Sequence, residues 1–392
     1  MKKKFIVLVV IMILTNIINN MAHPVTPDKV QELGQGAAFY GIIFGAMALA
    51  NFLMSPIWGR LSDQHGRKIF MVIAPIGYAF AQLGFGFSTN LVMIVVFRML
   101  AGMIASATFI AGMAYLIDIT TLKNRSKLMV FFTAITRFGA NLGYLLGGYI
   151  GMNNFRTTFV LQAVLSILMS VFIFFIMKEN YEKKAKSIQT NIVQDLKKYK
   201  KTIVPYLLMI VIFTSTVFKG FDIGFNSYMK FDLDFNSFEI GIAMAIVGLV
   251  GLFTNFLIFP IIKRYFNDLK LLIMSIIVMA ASAVIFTQIS ELKFQLIVLI
   301  FFFAGLALYK PLLQSILSKA GDRNGEVMGL NNAAHALGMV IGSVGIGYIY
   351  KIQTELAFYT LSGIAFMSAI LLILRKRQIE PYTKENLNEE NN

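Results

Sequence analysis

Residues 59–68 read GRLSDQHGRK, and this short run holds three Lys or Arg side chains and one histidine. Apolar stretches flank it on both sides, at 37–58 and 69–88. An α-helix needs about 20 apolar residues to cross a hydrocarbon core that is about 30 Å thick. The sequence therefore predicts two membrane-spanning helices joined by a short charged loop.

The same alternation of apolar stretches and short polar connections continues along all 392 residues, of which 57% are hydrophobic and 14% are charged. A soluble protein carries about 25% charged residues, so the composition indicates a lipid environment. We predict an all-α membrane protein with twelve transmembrane helices, at 5–22, 37–58, 69–88, 91–117, 128–150, 157–177, 204–224, 238–260, 270–289, 294–313, 328–350 and 356–374. The start of the chain also fits a signal peptide, but no small-x-small cleavage site follows it, so we interpret it as the first helix.

The formal net charge of +15 follows the positive-inside rule and does not indicate nucleic-acid binding. With a cytoplasmic N-terminus, the inner segments hold 26 Lys and Arg residues and the outer segments hold 5. We therefore expect a multi-pass protein of the plasma membrane with both termini in the cytoplasm. The four remaining cations lie within predicted helices and are Arg98, Arg137, Lys219 and Lys310.

A lysine-rich segment separates six predicted helices from six more. We divide the chain into an N-terminal half, a cytoplasmic linker, a C-terminal half and a cytoplasmic tail, at 1–177, 178–203, 204–375 and 376–392. GANLGYLLGGYI from Gly139 and GMVIGSVGIGYI from Gly338 match at an offset of 199 residues. Parallel repeats of this kind are typical of secondary transporters.

Glycines four residues apart also let helix backbones approach closely in lipid. We therefore expect a helix-packing role for the glycines of both stripes, which are Gly139, Gly143, Gly147, Gly338 and Gly342.

Several motifs resemble one known family. Gly59, Asp63, Gly66, Arg67 and Lys68 follow the spacing G-x-x-x-D-x-x-G-R-K and resemble the loop between helices 2 and 3 of the major facilitator superfamily. Three further features resemble the drug:proton antiporter branch of that superfamily, including its Gram-positive multidrug exporters: Arg98 before Gly102, then Asp118, then Arg125. The resemblance covers nearly the whole chain and implies twelve helices in two six-helix pseudo-repeat halves.

The charged loop also has a physical reading. Glycines at Gly59 and Gly66 would reverse the chain direction. Asp63 would cap a helix N-terminus and pair with Arg67 or with a cation across the bundle. Together with Lys68, these residues form a predicted gate on the cytoplasmic side; the alternative is that the cations only set the topology.

The chain departs from the branch pattern at three places. Tyr144 follows Gly143 where the branch has a proline, and Ala307 stands where the branch has an acid on helix 10. The second copy of the charged loop, KRYFNDLK at 263–270, lacks both glycines. The missing acid implies a coupling site that is reduced to a single acid or differently built. The missing proline, together with the cation-rich cavity expected below, favours an alternative function, a carrier for one anionic metabolite or lipid precursor.

Asp222 lies within the predicted helix 204–224, and an acid in the membrane needs a partner or a water-filled cavity. The resemblance implies that an acid at this place is protonated during transport and that Arg98 tunes the exchange. Lys219 lies three residues before Asp222, on the same helix face. The alternative is therefore a structural Lys219–Asp222 pair near the end of the helix.

The family arrangement implies that Arg98 and Arg137 face a central cavity, which Lys310 would make more electropositive. We expect an amphiphilic substrate that is anionic or zwitterionic. Other polar residues expected at the cavity are Asn16, Asn141, Lys219 and His335. For His335 a hydrogen-bonded packing role is the alternative to proton transfer.

The sequence has no Walker loop, no metal-ligand cluster and no cysteine, so neither an enzyme nor a cofactor or metal is expected. We expect a monomeric, proton-coupled secondary transporter that exports amphiphilic drugs or toxic small molecules and so contributes to antibiotic resistance. A sensor on the same fold that does not transport is the alternative from a different functional class.

Overall fold

The computed structural model describes residues 2–120, 122–179, 192–289, 291–320 and 324–383. These residues form helices joined by short connections, and no β-strand occurs among them. The side chain of Arg125, residues 180–191 of the predicted linker and the end of the predicted tail lie outside the described part.

Twelve long helices follow one another along the described chain: α1 Lys2–Asn20, α2 Ala37–His65, α3 Arg67–Phe87, α4 Leu91–Ile119, α5 Leu122–Gly151, α6 Phe155–Ile176, α7 Val204–Asp232, α8 Ser237–Ile262, α9 Asp268–Gln288, α10 Leu292–Lys319, α11 Asn324–Ile352 and α12 Thr354–Leu374. Eleven are long and apolar enough to cross a membrane, judged on the described residues, and the 30-residue α5 is the twelfth. The predicted all-α, twelve-helix fold is confirmed.

Large apolar side chains remain exposed on the outside of these helices. Phe80, Phe175 and Leu374 are 64%, 77% and 72% exposed. A soluble protein rarely leaves broad apolar patches in water, whereas a bilayer solvates them. The exposed side chains therefore agree with the hydropathy pattern.

Four of the helices begin at asparagine caps. The side-chain oxygens of Asn90, Asn154, Asn236 and Asn267 accept hydrogen bonds from backbone N–H groups in the first turns of α4, α6, α8 and α9. Such a cap satisfies N–H groups that have no acceptor inside the helix. These connections can therefore be short without leaving a helix end unsatisfied.

Glycines on α5 and α11 let each of these helices lie directly against another backbone. A Cβ atom at Gly139 or Gly143 would clash with backbone carbonyl oxygens of α1, and one at Gly147 would clash with the carbonyl oxygen of Met21, just after α1. A Cβ atom at Gly338 or Gly342 would clash with backbone carbonyl oxygens of α7. The structure thus places α5 against α1 and α11 against α7 in the same manner, as an internal repeat predicts.

The chain forms two compact units. The first comprises Met1–Ile188 and Ile223–Leu249, and the second comprises Gln189–Asp222 and Val250–Asn392. Helix α7 therefore contributes residues to both units. The predicted division into halves, linker and tail stays a prediction.

The charged segment 59–68 differs from the predicted loop. Helix α2 continues to His65, past its predicted end at 58, and Gly59 lies inside it with no atom within 4 Å of a Cβ position. The prediction that Gly59 reverses the chain is therefore wrong. Gly66 makes the turn alone, with φ +95°, a value that favours glycine. The error arises because hydropathy marks where a helix leaves the apolar layer, and the helix itself continues into polar residues.

Alanine at Gly342 should destabilise the protein by about 1–3 kcal/mol, because the added methyl group meets a packed backbone. Gly345 lies on the same helix with no atom within 4 Å of a Cβ position. Gly345→Ala is therefore the matched control and should be neutral or slightly stabilising, since alanine favours helix. Thermal unfolding in detergent measures both variants, and equal melting temperatures would contradict the packing role.

Candidate functional site

Arg67, the first residue of α3, is 5% exposed and joins three helices. Its Nη2 lies 2.5 Å from the Asp63 carboxylate on α2, and its Nε lies 3.1 Å from the Asp118 carboxylate on α4. Its Nη1 donates a hydrogen bond of 2.8 Å to Ser62 Oγ. The predicted Asp63–Arg67 pair is thus present, and Asp118 extends it.

Glu179 completes this group, and its role was not predicted. Its carboxylate accepts hydrogen bonds from the backbone N–H groups of Arg67 and Lys68, at 3.4 and 3.0 Å. A Cβ at Gly66 would lie 2.7 Å from the same carboxylate. The helix cap predicted for Asp63 is therefore wrong, because Glu179 occupies that position. We call Ser62, Asp63, Arg67, Asp118 and Glu179 the Arg67 cluster.

A second ion network surrounds the short helix Thr26–Glu32 and was also not predicted. Lys29 is fully buried and lies 2.7 Å from the Glu32 carboxylate, which also pairs with Arg156. Asp28 lies 2.6 Å from Lys230 Nζ. From the sequence, Lys29, Arg156 and Lys230 counted only as charges of outer connections.

Arg98 on α4 is buried against two aromatic rings and is 1% exposed. Its guanidinium carbon lies 4.5 Å from the centre of the Phe44 ring and 4.7 Å from the centre of the Phe85 ring. Its Nε and Nη2 have no hydrogen-bond partner among the described residues. The expectation that Arg98 faces an open cavity is therefore corrected: it is buried and makes cation–π contacts with two aromatic rings.

A cavity of about 160 Å³ lies within the first unit. The residues that line it are Met12, Thr15, Asn16, Asn19, Asn20, His23, Met47, Tyr78, Ala105, Thr108 and Phe109. No Lys, Arg, Asp or Glu occurs among these described residues. Asn16 thus lies at a cavity as predicted, but this cavity is lined by uncharged and aromatic groups.

The two other predicted residues on α5 lie elsewhere. Arg137 is exposed, and the Asn141 amide occupies the space that a Cβ at Gly248 would need. Neither residue lines the cavity of the first unit. The electropositive cavity that was predicted around Arg98, Arg137 and Lys310 therefore does not match the lining of this cavity.

Asp222 and Lys219 form an ion pair on α7, with Asp222 Oδ2 2.5 Å from Lys219 Nζ. The Lys219 side chain is 10% exposed and the Asp222 side chain 29% exposed. Helix α7 ends at Asp232 rather than at the predicted residue 224, so Asp222 lies about 15 Å before its end at a rise of about 1.5 Å per residue. The helix extends further because residues Tyr228–Asp232 continue it as a π-helical turn.

Lys310 and His335 meet in the second unit. Lys310 Nζ on α10 lies 3.2 Å from His335 Nε2 on α11, and His335 Nδ1 lies 2.6 Å from Ser215 Oγ on α7. Phe218 stacks on the imidazole, with ring centres 6.3 Å apart. The structure therefore joins two predicted residues, Lys310 and His335, through a serine that the sequence did not single out.

The chain matches the family model described as Major Facilitator Superfamily at residues 6–343 and 208–391. The chain belongs to this superfamily. It is therefore a multi-pass membrane transporter rather than an enzyme. Among the described residues, no group of three His, Asp or Glu side chains could hold a metal ion.

Related members of the superfamily extend over almost the whole chain. Multidrug resistance protein 1 of Bacillus subtilis (strain 168) is 27% identical over 372 residues, which cover 92% of this chain and 93% of the relative. Quinolone resistance protein NorA of Staphylococcus aureus (strain MRSA252) is 23% identical over 93% of this chain and 94% of its own. A bacterial homologue of the human lysosomal transporter Spinster superposes with a TM-score of 0.79 at 13% identity, over 97% of this chain and 98% of its own.

Replacing Arg67 with Met should destabilise the protein by about 3 kcal/mol, because the Asp63 and Asp118 carboxylates would lose their cation. Arg264 is exposed, so Arg264→Met is the control and should change stability by less than about 0.5 kcal/mol. Thermal unfolding in detergent measures the difference. If the melting temperature of Arg67→Met fell no further than that of the control, the cluster would add no stability.

Proposed function

We propose that this transporter exports amphiphilic, drug-like molecules across the plasma membrane in exchange for protons, with both termini in the cytoplasm. Relatives that cover more than nine-tenths of the chain are named multidrug or quinolone resistance proteins. The observation that carries the proposal is the Lys219–Asp222 pair within α7. Ionisable residues inside membrane helices are costly and mark ion or substrate paths by default.

Asp222 has the properties of a site that protons and substrate can share. It is the more exposed member of its pair, at 29% against 10% for Lys219, so its carboxylate is not fully covered by protein. A carboxylate accepts more than one donor, so Lys219 can hold Asp222 while a second cationic group binds. Proton uptake removes the negative charge and with it the attraction for that group.

This competition gives antiport. A substrate amine binds the ionised Asp222 from the cytoplasmic side. A proton that arrives from outside then displaces the substrate, which is released on the outer side. Because the same carboxylate cannot serve both at once, transport of one requires release of the other. Protonation also removes the negative charge that Asp222 presents to Lys219, which biases the helix bundle toward a different arrangement.

The Arg67 cluster is the proposed cytoplasmic gate. Arg67 on α3 contacts residues of α2 and α4, and Glu179 caps α3, so movement of any one of these helices must break charged hydrogen bonds. Such a group stabilises one arrangement and exchanges for another as a unit. In the proposal, the halves 1–177 and 204–375 are the bodies that move.

A zwitterionic amphiphile fits the exchange better than a simple anion, because its amine competes with the proton for Asp222. Within the first unit, Arg137 on α5, which is exposed, is the residue that we propose selects anionic groups. Arg98 contributes a fixed positive charge in this unit that tunes the exchange.

Asp222→Asn should abolish pH-driven export, with a loss of substrate accumulation of about tenfold or more, because asparagine neither binds the substrate amine with a negative charge nor carries an exchangeable carboxyl proton. Glu355→Gln, at the exposed start of α12, is the matched control and should export normally. Proteoliposomes with an imposed pH gradient measure both. Uphill export by a folded Asp222→Asn protein, or export that survives collapse of the proton gradient, would refute the antiport mechanism.

Arg137→Ala should raise KM for a zwitterionic or anionic amphiphile about tenfold, equivalent to about 1.4 kcal/mol, while KM for a cationic dye such as ethidium stays within about twofold. Arg137→Lys retains the charge and should recover most of the affinity. Equal effects on both substrate types would show that Arg137 does not select charge.

The second candidate is a carrier for one anionic metabolite or lipid precursor. The grouping of Lys310, His335 and Ser215 favours it, because these side chains offer donors to an anion. A drug-susceptibility and dye-efflux panel in an efflux-deficient host separates the two. Resistance to several unrelated compounds supports the exporter, and resistance to no compound in the panel supports the metabolite carrier.

A further inference from the structure

His335 is held on three sides within the second unit. Its Nδ1 lies 2.6 Å from Ser215 Oγ, its Nε2 lies 3.2 Å from Lys310 Nζ, and Phe218 stacks at 18° to the ring plane. Residues of α7, α10 and α11 therefore fix both the position and the orientation of the imidazole. Each ring nitrogen has a defined partner.

The identity of these partners determines the protonation state. A lysine ammonium has three donors and no acceptor. When Lys310 is charged, His335 Nε2 must accept its hydrogen bond, and the ring proton is on Nδ1 and points to Ser215. If Nε2 gained a proton, two cationic N–H groups would face each other at 3.2 Å. The contact between Lys310 and His335 therefore exists only while one of the two is neutral.

The neighbouring charges are few. Within two turns of the contact, the titratable side chains on α10 and α11 are Tyr309, Lys310 and His335. On α7 they are Lys219 and Asp222, which pair with each other. Ser215, Lys219 and Asp222 follow one face of α7 at spacings of four and three residues. Proton binding at His335 and at Asp222 would thus act on the same helix face.

We infer that the Lys310–His335 pair is a second proton-binding site, beyond Asp222. The proton binds the lone pair of His335 Nε2, which then no longer accepts a hydrogen bond from the Lys310 ammonium. The two side chains separate, and they come together again when the proton leaves. This inference rests on the proposed proton exchange and extends it from one proton to two in each cycle. Histidine suits the role because its unperturbed titration falls near neutral pH.

The ratio of coupled protons to substrate tests the inference. In proteoliposomes, the logarithm of the substrate gradient at steady state rises with the imposed pH difference, and the slope equals the number of protons exchanged when the membrane potential is clamped at zero. Wild type should give a slope of 2, and His335→Gln a slope of 1. His65→Gln, with an exposed histidine bonded to the Leu61 carbonyl, should keep the wild-type slope. A slope of 1 in wild type, or of 2 in an active His335→Gln protein, would overturn the inference.

A second measurement is independent of transport. The chain has three histidines, so NMR of protein labelled with ¹³C-histidine, compared with His335→Gln, assigns the His335 signal. That signal should change between pH 8 and pH 5 as the ring gains a proton, and Lys310→Met should alter its titration. A His335 signal that is constant over this range would overturn the inference even if export is proton-coupled. Loss of gradients in every variant, wild type included, would instead count against the proposed function.

Discussion

A charged side chain within a membrane-spanning helix costs about 2.5–3.5 kcal/mol even on lenient insertion scales, and the helices of this transporter are arranged to meet that cost. Lys219 has a carboxylate, Arg98 has two phenyl rings, and Lys310 has an imidazole. These three solutions differ in chemistry. The Lys219 ion pair is neutral until its acid is protonated, and Arg98 keeps its charge against the aromatic rings. The Lys310–His335 contact holds one proton fewer than its two bases can carry.

Close helix packing makes these pairings possible. Gly338 and Gly342 let α11 approach the backbone of α7, and the Thr216 hydroxyl donates a hydrogen bond of 3.2 Å to the Gly338 carbonyl. His335 lies three residues before Gly338, and Ser215 is adjacent to Thr216. The glycine stripe therefore sets the distance that the His335–Ser215 hydrogen bond requires. Packing and proton chemistry depend on the same few turns of α7 and α11.

The helices and their order could be predicted from hydropathy, because the apolar runs are long and the charges are sparse. The contacts that pair charges across helices could not, since they join residues far apart in sequence. Glu179 caps α3 from a position more than 100 residues away. Nothing in the sequence distinguishes Ser215 from other serines, because its role depends on the packing of α11 beside α7. Helix ends were misjudged where polar residues continue a helix, as at Gly59 on α2, or where a π-helical turn extends it, as on α7.

For the site residues too, the sequence predicted which residues matter better than it predicted their contacts. Residue type identified Asp222, Lys219, Lys310 and His335 as worth attention, because ionisable groups are rare in apolar helices. Residue type alone did not predict which of these residues contact each other. The expectation that Arg98 faces an open cavity was wrong. Phe44 and Phe85, which cover Arg98, are ordinary apolar residues in the sequence, so no local pattern reveals their role.

The most direct test of proton exchange uses a substrate gradient alone. Wild-type protein is reconstituted in vesicles that enclose a pH-sensitive dye, without an imposed pH gradient, and a zwitterionic amphiphile is added on one side. Substrate that moves down its gradient should drive protons the opposite way, so the side that receives substrate becomes more alkaline. Substrate movement with no change in internal pH would contradict the account.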